Sequence, residues 1–221
     1  MSELLPAVEL DPPGELRGSV IWLHGLGADG HDFEPILPLL PLGRLGVRVV
    51  LPHAPVMPVS INGGFVMPAW YDIRDGDLRQ RHDEAGIRAS AARITAWIEA
   101  EVARGVPARR IALVGFSQGG AMALHVGLRH PERLAGIGAL STYLLLEDQL
   151  EAERSATNRE TPVFQAHGSY DPVVSLARGE GARDRLRRDG QPHEWRAYPM
   201  EHQVCEPELQ ALGDWFERVF A

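Results

Sequence analysis

Short apolar runs that end at glycine or proline, alternating with segments of helical spacing, constrain this chain more than any other feature. The first is Ser19-Val20-Ile21-Trp22-Leu23-His24-Gly25, and a run without polar alternation reads as a strand covered on both faces. Similar runs follow at Val47–Leu51, Ile111–Val114, Leu134–Leu140 and Pro162–Ala166, while the more amphipathic Glu194–Tyr198 belongs nearer a sheet edge. Between them Ile87, Ala91, Ile94, Ile98 and Val102 share one helical face and stop before Gly105 and Pro107. Near the C-terminus Pro207 suits a first helical turn, and Leu209, Leu212, Phe216 and Val219 form its apolar stripe. Parallel strands joined by right-handed helical crossovers are the economical solution to this alternation. The expected fold is α/β, a three-layer α/β/α sandwich with a mostly parallel central sheet. Leu5–Leu10 is expected to add an antiparallel strand, turning through Asp11-Pro12-Pro13-Gly14.

A length of 221 residues suits one domain over 1–221, and 44% apolar with 24% charged residues argues against disorder or a collagen-like chain. A formal charge of −8 argues against nucleic acid as a partner. Cys205 is the single cysteine, which excludes an intrachain disulfide and fits the reducing cytoplasm. Met1–Leu10 holds Glu3 and Glu9 and no basic residue, unlike a secretory signal. Val49–Tyr71 and Ile111–Leu128 lack Asp, Glu, Lys and Arg, but prolines and Gly63-Gly64 break the first and Ser117-Gln118-Gly119-Gly120 the second. No stable membrane insertion is expected. The proline-rich stretch Pro52–Pro68 directly follows a strand, where such folds build a ligand crevice, and is a candidate site wall.

Gly115-Phe116-Ser117-Gln118-Gly119 is a G-x-S-x-G pentapeptide between a strand and a helix starting near Gln118, the context a nucleophile elbow requires. A serine needs a base, and the expected chain order is serine, carboxylate, histidine. Of the histidines after Ser117, His125 falls inside the following helix and His130 at its end, both read as surface or capping residues. His167 precedes every plausible acid except Asp148, and His193 starts a strand. His202 remains, in a loop before the last helix. Asp171 follows the strand Pro162–Ala166, whereas Asp148, Asp184 and Asp189 sit among charges on solvated faces. Asp171-Pro172 also reads as a helix-start turn. The backbone N–H groups of Gln118 and Leu26, the latter in His24-Gly25-Leu26-Gly27, are the expected oxyanion donors.

Together with Asp29-Gly30-His31-Asp32-Phe33, Pro52-His53-Ala54-Pro55, Met67-Pro68-Ala69-Trp70-Tyr71-Asp72 and Asp171-Pro172-Val173-Val174, these motifs span the chain. The chain resembles the phospholipase/carboxylesterase group of small α/β-hydrolases, which includes carboxylesterases and acyl-protein thioesterases. The resemblance implies an α/β-hydrolase fold, a triad of Ser117, Asp171 and His202, and Leu26 and Gln118 as oxyanion hole, in agreement with the reading above. The loop Ser60-Ile61-Asn62-Gly63-Gly64-Phe65 is more similar to the bacterial carboxylesterase branch than to the protein-depalmitoylating one. Val173-Val174-Ser175 replaces the Val-Pro often found after the acid.

The expected substrate is a small ester or thioester of short to medium acyl length. Lysophospholipids, lactones and peptides stay open, because the triad does not identify the leaving group; a noncatalytic binding protein on the same fold is the reading from another class. Ile61, Phe65, Val66, Met67, Trp70, Leu144–Leu146 and Val174 are candidates for an acyl groove, with ordinary core or lid packing as their other reading. The apolar loop around Phe65 offers a surface for a homodimer or soft membrane contact. The nine histidines are scattered without an H-E-x-x-H, so neither metal nor cofactor is expected.

Overall fold

The computed structural model describes residues 4–74 and 83–221. The first three residues of the N-terminal segment read above as lacking a signal lie outside that range. Nine strands occur among the described residues: β1 (Ala7–Leu10), β2 (Gly18–Leu23), β3 (Val47–Pro52), β4 (Val56–Val59), β5 (Phe65–Pro68), β6 (Ile111–Phe116), β7 (Gly136–Leu140), β8 (Val163–Gly168) and β9 (His193–Tyr198). The helices are α1 (Glu84–Arg104), α2 (Gln118–Arg129), the one-turn α3 (Leu150–Glu153), α4 (Leu176–Arg188) and α5 (Glu206–Val219), with a 3₁₀ segment over Gly30–Leu39.

Seven strands form one sheet in the order β1-β3-β2-β6-β7-β8-β9. Only β1 runs antiparallel, pairing Ala7 with Pro52 and Leu10 with Val49; the other neighbours are parallel. This is the mostly parallel α/β sheet expected from the alternating runs, and its single antiparallel edge strand is the one expected from Leu5–Leu10. The amphipathic β9 lies at the edge, as its mixed composition implies.

Side-chain alternation along the central strands separates two cores. Ile21 and Leu23 of β2, with Ile111 and Leu113 of β6, pack under α1, α2 and α4. Val20 and Trp22, with Ala112 and Val114, face α5 and the 3₁₀ segment. Each such fully buried aliphatic side chain contributes about 1.5–3 kcal/mol relative to exposure. α2 lies over the middle of the sheet and is buried along nearly its whole length.

Two features differ from the sequence reading. The proline-rich stretch contains a two-stranded hairpin, β4 against β5, pairing Met57 with Met67 and Val59 with Phe65. Prolines are tolerated there because each strand has a free edge. The arginine-rich segment before Asp189 is the helix α4, which packs through Gly179, Ala182 and Leu186, residues too small and too few to give an apolar stripe.

Candidate active site

β6 runs through the centre of the sheet and α2 begins at Gln118, so Ser117 alone makes the turn between them. It adopts φ 55°, ψ −121°, a conformation that costs a residue with a Cβ about 1–3 kcal/mol. Backbone bonds hold it there: Ser117 N–H donates to the Leu140 carbonyl at 2.8 Å, and the Thr142 hydroxyl donates to the Ser117 carbonyl at 2.6 Å. The flanking glycines are required by contact. A Cβ on Gly119 would stand 2.2 Å from the Leu23 carbonyl oxygen, and one on Gly115 would stand 2.3 Å from the Gly119 backbone.

His202 hangs in the loop between β9 and α5, at the carboxyl end of the sheet. Its Nε2 lies 2.9 Å from Ser117 Oγ and its Nδ1 2.6 Å from Asp171 Oδ2. An ionised carboxylate only accepts, so Nδ1 carries the proton and donates to Asp171, which leaves Nε2 to accept from the serine hydroxyl. The imidazole packs on Phe116 at a centroid distance of 4.7 Å. Asp171 divides its oxygens. Oδ2 takes His202, while Oδ1 accepts the N–H groups of Val173 at 2.9 Å and Val174 at 2.8 Å. The same carboxylate thus closes a turn with one oxygen and meets the imidazole with the other; it does not start a helix, because α4 begins at Leu176 with Ser175 as its cap. Geometry of this kind is what general-base activation of a hydroxyl requires.

Gln118 opens α2, so its backbone N–H has no partner within the helix. The backbone N–H of Leu26, in the loop after β2, makes no hydrogen bond among the described residues. The next residue, Gly27, takes φ 78° and donates to the Pro68 carbonyl at 2.9 Å, tying this loop to the β4–β5 hairpin.

The residues expected along an acyl groove divide in two. Ile61, Phe65 and Val66 stand exposed on the hairpin, Phe65 at 68%, and Met67 is half-buried beside Gly27. Trp70 is 0% exposed and Val174 and Leu144 are buried, so these three offer little or no surface to a ligand. Val174 instead serves the Asp171 turn: its N–H meets Oδ1 and its carbonyl accepts from His167 Nε2 at 2.8 Å.

His125 and His130 correct the surface reading, since both are buried. Burial pushes His125 down to about 3, and His130 caps α2, its Nδ1 accepting the Glu132 N–H at 3.2 Å. His193 bonds to Gln165 at 3.0 Å and is held down at about 4, chiefly by burial. Sequence reasoning also missed His167. It lies fully buried with Nε2 at 3.6 Å from Asp171 Oδ2, and burial holds its pKa below the ordinary imidazole range. Its place immediately after the strand read as Pro162–Ala166, just before Gly168, was the available signal.

Sheet order, a serine at the strand-to-helix turn and the histidine loop at the sheet's carboxyl end define the class: an α/β-hydrolase. The model of the phospholipase/carboxylesterase family matches residues 10–219, and the chain belongs to that family. It is 44% identical over 221 residues to acyl-protein thioesterase 1 of Neurospora crassa, covering 96% of this chain and 88% of the relative. To acyl-protein thioesterase 1 of Cryptococcus neoformans it is 35% identical, covering 97% and 98%. Among solved structures, acyl-protein thioesterase 2 of Zea mays superposes with a TM-score of 0.88 at 26% identity, covering 98% of this chain and 100% of that one. The protein is accordingly a hydrolase of ester or thioester bonds.

Proposed function

We propose that this chain, as one α/β-hydrolase unit, cleaves carboxylic esters of short to medium acyl length through an acyl-enzyme on Ser117. Ser117 Oγ attacks the substrate carbonyl as its proton passes to His202 Nε2; Asp171 keeps the imidazole in the productive tautomer and stabilises the imidazolium without taking the proton. The oxyanion of the tetrahedral intermediate is held by the N–H groups of Leu26 and Gln118. Collapse expels the alcohol or thiol, which takes the proton from His202. Water then repeats the sequence on the acyl-serine, and the carboxylic acid leaves. The observation carrying this reading is His202 spanning Ser117 at 2.9 Å and Asp171 at 2.6 Å.

The second reading, thioester hydrolysis, is favoured by the names of the curated relatives. The Ser60–Phe65 loop reads toward the carboxylesterase side. A reducing, cytoplasmic setting suits the single cysteine, and no described helix is long and apolar enough to cross a membrane.

The test is kcat/KM on matched oxygen esters and thioesters from acetyl to palmitoyl, together with fluorophosphonate labelling and Ser117→Ala. Labelling should map to Ser117, and Ser117→Ala should lower kcat by ~10⁴-fold or more without unfolding the chain. Substantial turnover by folded Ser117→Ala would remove the assignment. A thioester preference, or rates still rising at palmitoyl, would move the substrate to the second reading.

A further inference from the structure

We infer that Trp70 and the side chain of Gln118 are positioning residues that tie the two halves of the oxyanion hole into one hydrogen-bonded unit. The inference rests on the assignment of Leu26 and Gln118 as donors.

The two amides belong to segments far apart in sequence, the loop after β2 and the start of α2, and nothing in either segment alone fixes their separation. Trp70 touches both. Its indole Nε1–H donates to the His24 carbonyl at 2.9 Å, and its own amide N–H donates to Gln118 Oε1 at 2.8 Å. The other end of the Gln118 amide, Nε2–H, donates to the Tyr71 carbonyl at 2.8 Å. The carbonyl of Trp70 accepts the hydroxyl of Ser90 on α1, which anchors the tie to the core.

The loop side is closed in the same way. His24 Nδ1–H donates to the Gly25 carbonyl at 2.7 Å, and Nε2 accepts the Ala54 N–H at 3.0 Å. That pattern needs a neutral ring, and burial, its largest influence, holds His24 below the ordinary imidazole range. The path therefore runs from the Gln118 side chain through Trp70 to His24, two residues before Leu26. His24, Trp70 and Gln118 are all buried, so water does not compete for these bonds.

The residue types follow from this path. At 118 the path needs one acceptor and one donor on a side chain long enough to reach residues 70 and 71. Glutamine supplies both, glutamate lacks the donor, and asparagine is one methylene shorter. At 70 it needs a large apolar body with one N–H at its edge, which indole alone provides. An apolar residue just past the end of the proline-rich stretch reads in sequence as a groove wall, whereas its complete burial and two donated bonds assign it to the frame.

A tie of this kind acts on the transition state. Both donors are main-chain groups, and a few tenths of an ångström between them matters once the oxyanion forms and little while substrate is merely bound. Trp70→Phe removes the indole donor and keeps the ring; Gln118→Met keeps length and removes both bonds. Each variant and the double variant are assayed per fluorophosphonate-titrated serine for kcat, KM and affinity for an alkyl boronic acid, which forms a tetrahedral adduct. Loss of a whole oxyanion donor costs ~10²–10³ in kcat, so misplacing one is expected to cost about tenfold to a hundredfold. KM should change little, and boronate affinity should fall with kcat. The double variant should be little worse than the poorer single one, because either change opens the same path.

Wild-type kcat and boronate affinity per titrated serine in folded variants would overturn the inference, as would singles whose effects multiply in the double. If Trp70→Phe fails to fold, Gln118→Met decides by the same readouts. Failure of the wild-type serine to label would instead overturn the underlying reading of Ser117.

Discussion

Ser19, on β2, and Ser117, just past the end of the neighbouring β6, are both buried serines, and each begins a polar chain that includes a carboxylate. At Ser117 the order is hydroxyl, imidazole, carboxylate. Ser19 donates to Glu101 Oε2 at 2.5 Å, and Glu101 Oε1 accepts from Arg48 Nε at 3.2 Å and Arg104 Nε at 3.3 Å. Arg48 is held further by Glu9 and Asp11. Ser19 lies level with Ile111 at the amino end of β6, whereas Ser117 lies just past its carboxyl end, where α/β folds open a crevice. The middle group separates the two. Imidazole can take a proton and return it near neutral pH, whereas a carboxylate committed to guanidinium groups that never deprotonate is a fixed countercharge. Hydroxyl, carboxylate and burial are therefore common to a structural brace and a candidate catalytic site.

The comparison breaks most sharply at the carboxylates. Asp171→Asn leaves an oxygen to accept the Val173 and Val174 N–H groups and turns an N–H toward His202, so kcat should fall by ~10³–10⁴-fold while thermal stability barely moves. Steady-state kinetics alongside a melting curve would show whether the loss is chemical. Glu101→Gln should do the reverse. Removing the innermost countercharge of buried Arg48 should cost about 3 kcal/mol in urea unfolding, with kcat per folded molecule unchanged.

A third buried carboxyl sharpens the contrast. Glu208, in the first turn of α5, is fully buried, and burial pushes it up to about 8 from 4.5, a weaker interaction with the Cys205 backbone opposing. Its folded form holds a proton that the unfolded chain has released, so its contribution is fully present below pH 4.5 and is lost as pH rises toward 8. The slope is at most ~1.4 kcal/mol per pH unit. Glu208→Gln should flatten that decline in unfolding curves taken across the window; an unchanged slope would assign it to another group. The smallest effect is expected from Ser19→Ala, about 1.5 kcal/mol for one bond to a charged partner, with kinetics unaltered.

Much of this was legible in sequence because the signals are local. Strands buried on both faces must be apolar along their length, and a serine at a strand-to-helix turn needs glycine around it. Ser117, Asp171 and His202 then followed from chain order. The missing parts depend on distant partners. Trp70 meets Gln118 and His24 across more than forty residues, and Arg48 meets Glu101 across fifty-three. α4 buries glycine and alanine, and the β4–β5 hairpin pairs across prolines, so neither shows the periodicity by which an element is recognised.

The backbone of Ser117 carries a further consequence. Its unfavourable conformation is imposed when the chain folds, through Leu140, Thr142 and the contacts of Gly115 and Gly119, and substrate binding supplies none of it. A weakened core therefore reduces how many molecules are folded before it alters how fast each one turns over. Variation far from the site is expected to appear first as lost abundance, with the rate constant of the survivors intact.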